Sequence, residues 1–233
     1  MSPEDGLDTE PDPLFDSVEL TGGDPMFERR ELVTIDHLPT EDRIVGRDDQ
    51  IKMIANEIGP AVSGAPPNSV MIYGKTGSGK SLVAKHVMKR SEEEAQRRDN
   101  NLAVAYANCS QAKGNADALQ QLGQQINPPE SSISFPERGI SENEYFNRVW
   151  DVLDDFYDAA IFTLDEIDRL KNDDLLMILS RAGETGSVET PIGVIAISNK
   201  INYRDQMSER TKSSFGHNEY IFDPYDATQL REI

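Results

Sequence analysis

The stretch "MIYGKTGSGKS", residues 71–81, is an apolar run that breaks into glycines and closes on Lys80 and Ser81. Within it, Gly74, Lys75, Thr76, Gly77, Ser78, Gly79, Lys80 and Ser81 match the pattern G-x-x-x-x-G-K-[ST]. Phosphate binding calls for these residue types. Glycines let successive N–H groups turn inward around phosphate oxygens, and the N-terminus of the following helix adds its dipole. Lys80 then reaches the β- and γ-phosphates while the Ser81 hydroxyl ligates Mg²⁺. The nucleotide-binding set runs from Gly74 to Ser81 and takes in Leu82. The plainer alternative is a glycine-rich turn with an exposed lysine, and the strand before and helix after this stretch count against it.

Outward from the loop, strands and helices alternate. "VMIY" is short, apolar and bounded by turn residues, so it reads as a buried strand. Ahead of it, Ile51, Ile54, Ala55 and Ile58 recur at helical spacing before a Gly59-Pro60 stop. After it, a helix runs from about Gly79 to Arg98 with Leu82, Val83, His86 and Val87 on its inner face. "LAVAYAN" (102–108), "AAIFTL" (from 159) and "IGVIAISN" (192–199) read as further buried strands. Between them lie the helices "ADALQQLGQQI", "SENEYFNRVWDVLDDFY" and "DDLLMILSRAG", the second opening with a Ser-x-x-Glu capping box. "NEYIFDPYDATQLREI" reads as a short strand, a proline turn and the beginning of a helix whose apolar face is incomplete at Ile233, as expected of a fragment. The alternation implies an α/β fold with a mostly parallel sheet covered on both faces.

In an open parallel sheet, ligands sit beyond the carboxyl ends of the strands. Asp165 and Glu166 follow the strand "IFTL", and Asn199 ends "GVIAISN", so all three are expected at the edge that carries the phosphate loop. Asp165 would hold Mg²⁺ through water, and Glu166 would polarise the attacking water. Asn199 is either a hydrogen-bond donor to the γ-phosphate or water, or a turn-forming residue. Asp168 is expected only to cap or solvate. Arg210, in "SERTKSSFG", is a surface arginine or a guanidinium offered to a neighbouring subunit's nucleotide.

Composition narrows the surroundings. The chain has 233 residues, and 42 acidic against 23 basic residues give a formal charge of −19 spread along its whole length. Either this is a solvated acidic surface, or it is adaptation to a molar-salt cytosol, where charges are screened within about 3 Å. Such a surface repels a phosphate backbone, so DNA contact needs a local basic patch or a further domain. The lone cysteine, Cys109, excludes an internal disulfide and reads as core filler; His37, His86 and His217 lack metal-ligand spacing. No apolar run reaches the length of about 18 residues that spans a membrane, and the acidic N-terminus is unlike a secretory signal. A cytoplasmic protein without membrane association is expected. Residues 1–25, acidic and rich in Pro and Gly, are expected to be disordered.

The order of the phosphate loop, "FTLDEIDRL", "VIAISN" and "SERTKSSFGHNEYIFDPYDATQL" resembles the AAA+ ATPases, and most closely the archaeal origin recognition complex and cell division control initiators. The resemblance covers about residues 26–233. It implies a P-loop three-layer sandwich with the ATPase core over 26–222 and the start of a helical lid over 223–233; the rest of the lid and a DNA-gripping winged-helix domain follow in that family. It implies Walker A roles for Lys80 and Ser81, Walker B roles for Asp165 and Glu166, sensor 1 for Asn199 and an arginine finger at Arg210. Ile44, Val45, Gly46 and Arg47 fall where the family borders the adenine. The segment from about Ser110 to Ser141 falls where the family carries a DNA-touching element, although here its only cations are Lys113 and Arg138.

The function so implied is a slow ATPase switch, using ATP/ADP and Mg²⁺, that controls origin binding and loading of the replicative helicase. The expected partners are origin DNA, mainly through the C-terminal domain, the helicase, and further copies or other initiator subunits. Two alternatives stand beside it: a non-hydrolysing nucleotide-dependent scaffold, and another AAA+ machine such as a clamp-loader subunit.

Overall fold

A computed structural model describes residues 44–232. The expected tail and the stretch 26–43 that contributes to the family resemblance, His37 included, lie outside the described residues. Five strands form one sheet: β1 (Val70–Gly74), β2 (Leu102–Asn108), β3 (Ala159–Asp165), β4 (Ile192–Ser198) and β5 (Glu219–Phe222). Their order is β2-β3-β4-β1-β5, and every pairing is parallel. The carboxyl ends of all strands therefore meet at one edge.

The helices are α1 (Asp48–Ile58), α2 (Lys80–Arg97), α3 (Asn115–Ile126), α4 (Glu142–Phe156), α5 (Asp174–Ser180), α6 (Glu209–Phe215) and α7 (Gln229–Glu232). Alternation along the strands assigns them to layers. Val70, Ile72, Ile161, Ile195 and Ile197 meet Ile54 and Ile58 of α1 and Val83, Ala84 and Val87 of α2 on one face. Met71, Phe162, Leu164, Val194 and Ala196 meet α3, α4 and α5 on the other. Residues of both registers are buried, which is why the strands read as unbroken apolar runs. On β2 the residues facing α3 and α4 are Ala103, Ala105 and Ala107. Small side chains there allow close packing, continued where the Phe135 ring fills the notch at Gly123; an added Cβ would stand 2.1 Å from it.

The α-helix ends at Ile58, immediately before Gly59-Pro60 as the sequence predicts, and residues Gly59–Ser63 follow as a 3-10 turn that ends at left-handed Gly64 (φ +72°). Proline fits there because a first-turn N–H has no intrahelical partner in any case. Ser141 does cap α4, accepting from Glu144 N at 3.2 Å, worth about 1 kcal/mol. The Glu144 carboxylate is engaged by Arg148 Nε at 2.9 Å, one turn into the helix.

Candidate nucleotide site

The phosphate loop leaves β1 at Gly74 and enters α2 at Lys80. Gly77 and Gly79 both hold φ +83°, the left-handed region that a side chain disfavours by roughly 1–2 kcal/mol. Gly74 is also fixed by crowding: a Cβ there would meet Phe222 O at 2.5 Å and Ser78 Oγ at 2.9 Å. Lys75, Thr76 and Gly77 are exposed, whereas Ser78 and Lys80 are buried. Lys80 Nζ donates to Gly74 O at 2.8 Å and Lys75 O at 2.9 Å. Burial lowers its pKa, and the nearby carboxylates of Asp165, Glu166 and Asp168 oppose that shift. The Ser78 hydroxyl is buried with no protein partner among the described residues.

Asp165, the last residue of β3, is buried with both oxygens engaged. Oδ1 accepts from Glu166 N at 2.8 Å, and Oδ2 accepts from the Tyr106 hydroxyl at 2.6 Å. Burial and the Asp165 carboxylate push the Tyr106 pKa up. Glu166 itself is left-handed (φ +54°, ψ +42°), an uncommon state for a non-glycine residue, and this turns the chain sharply off the strand. Asn199, just past β4, donates from Nδ2 to Glu166 Oε1 at 3.3 Å. The sheet edge thus brings Lys80, Asp165, Glu166 and Asn199 together, as the strand endings predict.

Asp168 does more than solvate. Its side chain is 5 % exposed and pairs with Lys200 at 3.7 Å. Its Oδ1 accepts from Ser198 Oγ at 3.2 Å and Asn199 N at 3.1 Å, so it ties the turn after β3 to the end of β4 and orients Asn199. Cys109 is buried core, and burial pushes its thiol up to about 12.

At the other end of the loop, Ile44 and Arg47 are buried, Val45 is half-buried and Gly46 is exposed. Arg47 Nη2 donates to Asp223 O at 2.5 Å, and its Cζ lies 5.2 Å from the Phe222 ring centroid and 4.3 Å from that of Tyr225. Gly46 (φ +65°) leaves room for the Gln229 amide, 2.3 Å from where a Cβ would stand. Tyr225 Oη would lie 2.6 Å from a Cβ on Gly79, so the segment after β5 touches the phosphate loop directly. Leu82 sits half-buried in the first turn of α2.

Arg210 is not part of this cluster. It is exposed on α6 and lines a separate cleft of about 520 Å³ with Met177, Ile178, Arg181, Thr185 and Ser187. Tyr106, Asp168, Tyr225 and Gln229 are the site residues that sequence reasoning missed. For Tyr106 a signal existed, since alternation along "LAVAYAN" puts it on the same face as Asn108, the strand's last residue.

The glycine cradle, the buried Lys80 ammonium and the unpartnered Ser78 hydroxyl suit a polyphosphate. For a metal ion, Ser81 and Asp165 offer one hydroxyl and one carboxylate, and the described residues hold no group of three or more His, Cys, Asp or Glu that could form a cage. That donor set suits Mg²⁺, which keeps waters and shares phosphate oxygens. Among the described residues, no helix is long and apolar enough to cross a membrane.

Residues 43–195 match the family model for the AAA ATPase domain. The chain is 68 % identical over 220 residues to ORC1-type DNA replication protein 17 of Haloarcula marismortui, covering 94 % of this chain and 54 % of that protein. It is 46 % identical over 235 residues to ORC1-type DNA replication protein 2 of Halobacterium salinarum, covering all of this chain and 86 % of that one. Its fold superposes on the Aeropyrum pernix ORC1 protein solved in complex with DNA, with a TM-score of 0.77 and 27 % identity over 88 % of this chain and 52 % of that chain. The chain thus spans about half the length of the Haloarcula relative. Both the phosphate-loop architecture and these likenesses point the same way, and the chain belongs to the archaeal ORC1-type replication initiators of the AAA+ ATPases.

Proposed function

We propose that this chain is the nucleotide-operated core of a replication initiator, a slow ATP switch that governs origin binding and loading of the replicative helicase. The observation that carries the proposal is the meeting of Lys80, Asp165, Glu166 and Asn199 at the end of the sheet that holds the glycine cradle.

Phosphate oxygens compete with Gly74 O and Lys75 O for the Lys80 ammonium, and a charged acceptor in a buried setting outweighs two neutral carbonyls. Ser81 and Asp165 hold Mg²⁺, whose chemistry here is to neutralise charge on the β- and γ-phosphates. Glu166 takes up the proton of an attacking water, and Asn199, hydrogen-bonded to Oε1, fixes the direction of that carboxylate. Ile44 to Arg47 border the base. Arg210, exposed on a cleft outside the cluster, serves a neighbouring subunit's nucleotide rather than its own. Hydrolysis is slow because that arginine comes from elsewhere. The A. pernix relative was solved with DNA, which supports origin DNA as the partner of the full-length protein. Within this chain Lys113 and Arg138 are exposed but isolated, a weak match for a phosphate backbone.

ATP binding and turnover in molar KCl, wild type beside Glu166→Gln, test the reading. Both proteins are expected to bind ATP, with turnover about 10²- to 10⁴-fold slower in the variant. Absence of ATP binding overturns the proposal, and equal turnover removes Glu166 from it.

A further inference from the structure

Tyr106 is held by three independent contacts, and the mechanism above gives it no part. It stands on β2, an edge strand, whose outer backbone groups have no neighbouring strand among the described residues. Gln125 of α3 supplies the missing partners at this one residue: its Oε1 accepts from Tyr106 N at 3.0 Å and its Nε2 donates to Tyr106 O at 2.8 Å. The amide is itself braced by Gln121 O at 2.8 Å. Over the ring sits Lys85 Nζ, 4.3 Å from the centroid. The hydroxyl donates to Asp165 Oδ2 at 2.6 Å, and Ser81 beside it opposes the rise that burial and Asp165 impose on its pKa. A phenol has one proton, here given to Asp165, so toward Ser81 the same oxygen can only accept.

One oxygen is thus bonded to the last residue of β3 and stands beside the first turn of α2, which carry the two side chains assigned to the ion. We infer that Tyr106 is a positioning residue for the magnesium ion, holding the Ser81 hydroxyl and the Asp165 carboxylate in the relative placement that the metal–nucleotide complex requires. The inference rests on the proposed function. With Glu166 N on Oδ1 and Tyr106 on Oδ2, the Asp165 carboxylate is fixed in rotation. Each oxygen keeps a further lone pair for a metal-bound water. Hydrogen-bonding partners that orient a metal's ligands are typically worth about 10- to 100-fold in metal affinity.

Tyr106→Phe removes the hydroxyl and keeps the ring, the Lys85 contact and the Gln125 clasp. The measurement is the affinity of a fluorescent ATP analogue in molar KCl, first in EDTA and then across a Mg²⁺ titration, for the wild type and the variant. A parallel Mn²⁺ titration followed by electron paramagnetic resonance reads ion binding without turnover. The expected result is an affinity in EDTA within about twofold of wild type and a Mg²⁺ midpoint raised about 10- to 100-fold, with the Mn²⁺ midpoint moving alike. An unchanged midpoint would reduce Tyr106 to a satisfied edge-strand side chain and overturn the inference. A lowered midpoint would overturn it in the other sense, because the hydroxyl would then be competing with the ion for Ser81 and Asp165. If the wild type binds the analogue with no Mg²⁺ effect, this inference fails alone; if it binds no nucleotide, the proposed function fails and takes the inference with it.

Discussion

At the end proposed for the phosphates, the candidate groups come from residues 74–81, 165–168 and 199, all set by where strands stop. At the end assigned to the base, Arg47, Phe222, Tyr225 and Gln229 form a wall from side chains far apart in the chain; Arg47 and the Asp223 carbonyl it binds are separated by 176 residues. The first end is carried by β1, β3 and β4, each paired on both sides within the sheet. The second is closed by the contacts of one arginine and a short segment after β5. Binding and folding are therefore separable at the phosphate end and coupled at the base end.

Lys80→Ala is the strongest test of that separation. Losing charge-assisted bonds to phosphate lowers nucleotide affinity about 10- to 100-fold, measured by titration calorimetry. The melting temperature stays close to wild type, since the two bonds lost to Gly74 O and Lys75 O are offset by relief of a buried charge whose pKa burial already lowers. Unfolding of this variant would erase the distinction between the two ends.

Arg47→Ala carries the converse expectation. It removes the bond to Asp223 O and two ring contacts, at a cost of about 1–3 kcal/mol in denaturant unfolding. Arg47→Lys recovers little of this, because an ammonium cannot stack its plane on two rings. Unchanged stability in Arg47→Ala would mean that the base end folds without its arginine.

The smallest effect concerns the contact between the two ends. Gly79→Ala costs about 1–2 kcal/mol from its left-handed φ, plus whatever displacing Tyr225 requires. Repeating the substitution in a Tyr225→Ala background leaves only the backbone part, and the double-mutant cycle reads the remainder as a coupling. A coupling of zero would show that Tyr225 yields freely.

The same contrast explains what was legible. Residues 71–81 announce strand, loop and helix in one contiguous run, and apolar strands ending at Asp165-Glu166 and Asn199 place those residues at the same edge. Parallel order needs no further information. Tyr106, Asp168 and the Tyr225–Gln229 wall matter through partners on other elements, and local periodicity does not reveal which polar tip reaches which carboxylate. Asp168 illustrates the difficulty: in a chain with 42 acidic residues, nothing in "DEID" marks its last aspartate as buried against Ser198 and Asn199.

The strand order also has a consequence in time. β1, which carries the phosphate loop, is flanked by β4 and β5, and Met71 pairs with Glu219 about 150 residues later in the chain. At a synthesis rate of about 5–20 residues per second, that partner leaves the ribosome about 7–30 s after Met71 does. For about the first 6–25 s of that interval, until Ala196 of β4 emerges, the strand beneath the loop has neither neighbour, so the cradle for phosphate is among the last parts of the domain to be completed as the protein is made.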